Sequence, residues 1–269
     1  KQVITEKIKR GGDRVPIPRP AASEFGGDLT GGYIFKREGA GEEGMGWTSA
    51  SGVRWDHHYP RDADITPDQA GYLHAFVDSF EAAMLGPDHA DPDLGYRAFI
   101  DEQSWIDFAI VQELTRNIDG YKKSSYYYKE PDVDGGRLYM GPLWDFNISW
   151  GNVDYCDGWD PAGLVYETNW CFAYPDHYPL WWESLLMEDP WFTSAMRCRW
   201  DELRQDVLSL PRIHDLIDEQ VALLVDAEPR DHAQWPVIGL YLWPNYHVAD
   251  TYAGEVEYLR DWIDQRVAW

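Results

Sequence analysis

The chain has 269 residues, 44% hydrophobic and 15% aromatic, which is enough apolar material to fill the core of one large domain or two modest ones. Its 47 acids against 23 bases give a formal charge of -24, which excludes unassisted binding to nucleic acid or to an anionic membrane, because phosphate contacts need clustered Lys and Arg. An anionic ligand therefore requires a metal ion or a local basic pocket.

The opening Lys1-Gln-Val-Ile-Thr-Glu reads as the middle of a strand, so the chain is expected to be a piece of a longer protein. Residues 1–65 read as short strands and loops: KQVITEKI alternates, GGDRVPIPRP is turn-rich, and GGYIFKRE is a β run between glycines. At Thr66-Pro67-Asp68-Gln69 the pattern changes to a capping box with Pro at the first helical position. Tyr72, Leu73, Phe76, Val77, Phe80 and Met84 then follow helical spacing up to Gly86-Pro87. A second helix is expected over 102–116, carrying Trp105, Phe108, Ile110 and Leu114. The strand SYYYKE, the turn PDVDGG and the strand RLYMG then form a β-hairpin. Residues 151–179 are aromatic and irregular, a structured loop of the length that is usually functional or heavily packed. Helices are expected over 181–187, 191–209, 213–227 and 255–269. The fold class is α+β, with a small β-rich portion over 1–65 and a larger, mainly helical portion over 66–269 into which the hairpin is inserted.

No apolar run approaches the ~20 residues of a membrane span, and no signal peptide opens the chain. Cys156, Cys171 and Cys198 fit neither a dense disulfide scaffold nor a CxxC zinc site. Cys156 and Cys171 share the loop-like segment, where they either pair, in an oxidising compartment, or stay free.

Asp119 and Asp145 bracket the hairpin, each at the mouth of a strand. A hairpin returns to its starting edge, so the two carboxylates can share one small volume. Both are either ordinary turn formers or the pair of a phosphoryl-transfer site, one accepting a hydroxyl proton and the other holding Mg²⁺ against ATP phosphates.

The segments TEKIKRGGDRV, LTGGYIFK, ITPDQ, NIDGYKKSSYYYK, LYMGPLWDFNISWGN, Asp189-Pro-Trp-Phe and RCRWDELR together resemble, in order, the motifs of the spore-coat CotH kinase family. The resemblance covers essentially the whole chain and implies an atypical, kinase-like fold of two lobes. It further implies a secreted or surface-associated enzyme that uses ATP and Mg²⁺ or Mn²⁺ to phosphorylate Ser or Thr of extracytoplasmic proteins. By this resemblance Asp119 in NIDG is the catalytic-loop aspartate and Asp145 in WDFN the metal-binding one. Asn147 stands where many members carry a second acid, so it is the other metal position, with one negative charge lost. Glu6 and Lys7 fall at the interlobe crossing that holds adenine, and Tyr139 is placed to wall the nucleotide pocket or to act as an ordinary strand tyrosine. The family's N-terminal strands, with their phosphate-contacting base, would lie upstream of Lys1.

Other features carry less. Asp132-Val-Asp134-Gly135 looks like a calcium loop but lacks the later Glu, so a hairpin turn is the better reading. His57-His58 lacks paired ligands at metal spacing, so a solvated loop is the better reading. Arg199, Trp200 and Arg204 read as a face of structural ion pairs, and Trp144 as packing that fixes the backbone of Asp145. Two other readings stay open: a non-catalytic, pseudokinase-type binding module, favoured by Asn147, and a glycoside hydrolase using Asp119 and Asp145 beside tryptophans.

Overall fold

Strands β1 (Tyr33–Arg37), β2 (Trp47–Thr48), β3 (Arg54–Tyr59), β4 (Ser125–Lys129) and β5 (Leu138–Met140) form one antiparallel sheet in the order β2-β3-β1-β4-β5. The structure, a computed structural model, describes residues 6–21, 27–38, 46–171, 182 and 184–269. The start of the alternating run KQVITEKI, the last residues of the aromatic loop and part of the 181–187 helix lie outside them.

The hairpin follows the second helix in the chain, as its turn residues indicate, but it is no isolated insert. Its first strand pairs with β1 in register from Tyr33↔Lys129 to Arg37↔Ser125. The sheet thus joins the two portions that the sequence separates near residue 65. β1 is buried on both faces, so its pattern is nearly continuous rather than alternating. Tyr33 and Phe35 face a large core with Trp55, Trp105, Tyr127 and Trp182, whereas Ile34 and Tyr126 are covered by Ile8, Val15 and Ile17 of the N-terminal segment. Trp144 packs against this second cluster, edge-on to Tyr126 at 6.1 Å.

Helix α1 (Pro67–Leu85) begins at the predicted capping box, with both reciprocal hydrogen bonds formed between Thr66 and Gln69, and ends at Gly86. Helix α2 (Glu102–Thr115) is capped by Asp101 and stops where Arg116 turns left-handed, φ 48°. Helix α3 (Pro190–Leu203) is capped by Asp189, which also accepts from Tyr96 Oη at 2.5 Å. It stops short of the expected 209 because Arg204 and Gln205 open a run of turns up to Ser209. Helices α4 (Leu210–Leu224), α5 (Glu228–Gln234) and α6 (Tyr252–Ala268) follow, α5 being absent from the sequence reading. Cys156 and Cys171 form a disulfide. The PDVDGG turn is a 3-10 turn over Asp132–Asp134 whose Asp132 pairs with buried Lys129 at 3.1 Å, a structural contact. Arg199 pairs with Asp107 and Glu202, as expected of a structural ion-pair face. No helix among the described residues is long and apolar enough to cross a membrane.

Candidate active site

The loop leaving α2 is wound tightly. Gly120 N–H donates to Asn117 O, and the N–H groups of Lys122 and Lys123 both donate to Asp119 O at 2.9 Å. A Cβ on Gly120 would lie 2.0 Å from Gln112 Oε1, so a larger residue there would have to displace the Gln112 side chain. Ser125 Oγ donates to Gly120 O at 2.8 Å and starts β4, so the loop is pinned at both ends. On the far side of the hairpin, β5 runs into Gly141, a cis Pro142 and Asp145, whose φ is 61°. Trp150 N–H donates to Thr115 O at 2.7 Å, which ties this second loop to the end of α2.

The consequence is the juxtaposition expected from the hairpin. Asp119 and Asp145 lie within electrostatic reach of each other. Burial pushes the Asp119 carboxyl above the usual carboxylate range, the Lys123 ammonium 3.1 Å away and Lys122 pull it back, and the Asp145 charge pushes it up again. Asp119 Oδ1 is buried with no hydrogen-bond partner among the described residues. Burial also drives the Lys122 ammonium down to about 7, despite Asp119 beside it. Asp145 is exposed, and Ser124 Oγ, on a residue held at φ 54°, donates to its Oδ2 at 3.5 Å.

The Asp145 carboxylate and the Ser124 hydroxyl beside it are hard oxygen donors of the kind that Mg²⁺ takes. No group of three or more His, Cys, Asp or Glu side chains is placed to hold a metal among the described residues. Mg²⁺ is commonly held by one or two carboxylates with water, and the donor chemistry of Asp145 and Ser124 fits it on that ground alone. Asn147 is exposed on the same loop, two positions from Asp145.

The remaining sequence candidates contact residues other than the two aspartates. Glu6 is exposed and pairs with Arg14 at 2.6 Å. Tyr139 stacks on Tyr128 at 4.7 Å, and its phenol meets Glu130, the behaviour of a strand tyrosine. Lys7 lines a cavity of about 510 Å³ together with Lys9, Arg10, Arg19, Lys36 and Arg61, where Asp62 is the one carboxylate among the described lining residues. In a chain with twice as many acids as bases, that is the local basic pocket an anion needs. It abuts the aspartate loops through Tyr126, which lies under Lys36 (5.6 Å) and beside Trp144. His57 and His58 lie on β3 and not in a solvated loop, and the buried His57 ring bonds Asp62 at 2.8 Å and His74 at 3.1 Å.

Sequence reasoning missed Ser124, Lys122 and Lys123, although a signal was present. Protein kinases place a metal-binding Asn five residues after the catalytic Asp, and the fifth position after Asp119 is Ser124.

Behind the loops sits a buried brace. Glu113 accepts from Val165 N at 2.7 Å and Tyr121 Oη at 3.0 Å. Arg266 of α6 donates to Glu113 O and to Gly163 O, which also receives Arg116. The arrangement fixes the end of α2, and hence Asp119, from three elements.

No curated protein and no solved structure matches the chain. The description "CotH kinase protein" matches residues 21–269, most of the chain and both aspartate loops. With that match and this pair of loops, the chain belongs to the CotH kinase family.

Proposed function

We propose that the chain is an atypical protein kinase that transfers the γ-phosphate of ATP to a Ser or Thr hydroxyl of an extracytoplasmic protein. The observation that carries this reading is the buried, half-satisfied Asp119 carboxylate within electrostatic reach of Asp145 across the mouth of the hairpin. Asp119 takes the hydroxyl proton on its unpaired Oδ1, the acceptor oxygen bonds to the γ-phosphorus, and the bond from that phosphorus to the ADP oxygen breaks. Asp145, with Ser124 and Asn147 beside it, would hold Mg²⁺ or Mn²⁺, which when bound neutralises phosphate charge. The basic cavity around Lys7 supports nucleotide phosphates close to these loops, and Lys123 orients the Asp119 carboxylate. In this reading residues 1–65 are the small-lobe remnant and linker, 66–269 the large lobe, and the sheet couples them.

The carboxylates are flanked by lysines and a serine, which supports phosphoryl transfer over glycoside hydrolysis. The test is phosphorylation of a Ser/Thr protein substrate by the protein with Mg²⁺ or Mn²⁺. Activity lost in Asp119→Ala, and Mg-ATP affinity lost in Asp145→Ala, are expected. Unchanged turnover or unchanged affinity removes the respective role. Exposed Asn147 in place of an acid supports a second reading, a pseudokinase-type binding module at the cell surface. Metal-dependent nucleotide binding without any phosphotransfer by the wild type would select it.

A further inference from the structure

Six large apolar side chains that are exposed in the structure, Trp235, Leu240, Tyr241, Leu242, Trp243 and Tyr246, fall in one segment between α5 and α6, and Trp243 is 73% exposed. Such a concentration marks an interaction surface, because soluble proteins rarely leave contiguous apolar patches unused. The segment is not loose. Asp154 N–H donates to Pro244 O at 2.9 Å, Tyr241 Oη donates to the Asp154 carboxylate, and Trp159 stacks on Tyr246 at 5.3 Å.

Its position is the informative part. With Phe146, Asn147 and Trp150 it lines a cavity of about 450 Å³, so one wall is the loop that carries Asp145. On the other side Trp243 stacks on Tyr155 at 6.0 Å, and Tyr155 lies within electrostatic reach of Asp119. The segment therefore flanks both aspartate loops.

The lining selects among ligands. Asp231 and Glu255 line the cavity and no Lys or Arg does among the described residues, so phosphates belong to the basic cavity on β1 and β3 and not here. Trp235, Leu242 and Leu259 offer apolar walls, while the Asn147 and Asn245 amides offer donor and acceptor together, as a peptide backbone requires.

Resting on the phosphoryl-transfer reading, we propose that this cavity docks the acceptor polypeptide as an extended segment, seating one bulky aromatic or aliphatic side chain a few residues from the phosphorylated Ser or Thr. The spacing follows from reach: an extended chain covers ~3.3 Å per residue, and Asn147 in the cavity is two positions from Asp145.

The experiment uses fluorescein-labelled peptides with one central Ser in a Gly/Ala/Asn background and a Phe placed at each position from four before to four after it. Polarisation without nucleotide measures docking, and transfer from Mg-ATP by the same protein measures phosphorylation. Phe at one or two neighbouring positions is expected to tighten binding ~tenfold or more over the all-Ala peptide, the scale of burying one large side chain. The gain should vanish in Trp235→Ala and in Leu240→Ser, both exposed positions whose folding is checked by thermal melting. A flat Phe scan, or a gain that survives both variants, overturns the proposal. So does sedimentation showing that the chain dimerises through this patch and that both variants are monomers. Position-dependent docking without phosphotransfer would sink the kinase reading alone, and phosphotransfer with a flat scan would sink the docking site alone.

Discussion

The Lys123 ammonium lies 3.1 Å from Oδ2 of Asp119, one turn back along the same loop, while Oδ1 of that carboxylate has no partner among the described residues. One oxygen is thus held and the other offered. Because burial raises the Asp119 pKa and Lys123 lowers it, Lys123→Ala should raise it further, and the acid limb of the pH–rate profile should move to higher pH. Lys123→Arg should restore the profile. An acid limb that stays in place in the alanine variant would separate the ion pair from catalysis.

Asp119→Asn should cost ~10²- to 10⁴-fold in turnover, the range for losing a general base. Its effect on stability has the opposite sense. A carboxyl whose folded pKa lies above its unfolded value penalises the fold fully above the folded pKa and not at all below the unfolded one. The variant should therefore melt no lower than the wild type at pH 7, and its relative advantage should shrink as pH is lowered. A large loss of Tm at pH 7 would make Asp119 a structural residue.

Lys122 titrates near 7 in the fold and near 10.5 when free, so the folded state binds fewer protons between those values. Its penalty is complete below about 7 and disappears as pH rises toward 10.5, which makes stability climb with pH across that window. Lys122→Met should stabilise by a few kcal/mol at pH 6, on the scale of ~1.4 kcal/mol per pKa unit, and by nothing near pH 10.5. Urea melts at the two pH values decide it.

Asn147→Asp adds a third carboxylate beside Asp145. Mn²⁺ and Mg²⁺ affinity, measured by calorimetry with the nucleotide present, should rise ~tenfold or more, while Ser124→Ala should weaken it by a comparable factor. No change in either variant would place the ion away from this loop.

Replacing both Cys156 and Cys171 by Ser opens a cross-link that spans 15 positions. Loop-closure entropy sets the expected loss at ~3 kcal/mol in urea unfolding of the oxidised protein. A loss under ~0.5 kcal/mol would mean that the unfolded chain is already compact across this segment.

Local signals in the sequence were reliable where the physics is local. The Thr66–Gln69 box and Gly86 bound α1 because both hydrogen bonds of that cap lie within four residues, and the turn between β4 and β5 is written in its own Pro, Asp and Gly. The pairing of β1 with β4 was not legible, since YIFKR is covered on both faces and its buried run names no partner. Helix α5, seven residues with Pro at its start and no buried side chain, has no apolar period to betray it. At the site, Asp119 and Asp145 stood out because strand ends and family motifs coincide there, and the structure brings them together. Ser124 did not, because only its place five positions after Asp119 marks it, and a serine in KKSS is not the Asn that protein kinases carry there. The basic cavity gathers residues from Lys7 to Arg61, and only folding makes them neighbours.

The sheet that couples the two portions also sets an order of events. β1 is synthesised before α1 and α2 and can pair with β3 at once, yet its other partner β4 follows both helices, so the second edge of the central strand must wait for most of the first half of the chain. Helix formation is fast and local, whereas closing that long loop carries an entropic cost before any strand contact repays it. During that wait β1 has β3 on one side only, and its other edge stays open for association. A folding helper or a slow translation rate across α2 would therefore act on yield at this one pairing step, well before any aspartate is in place.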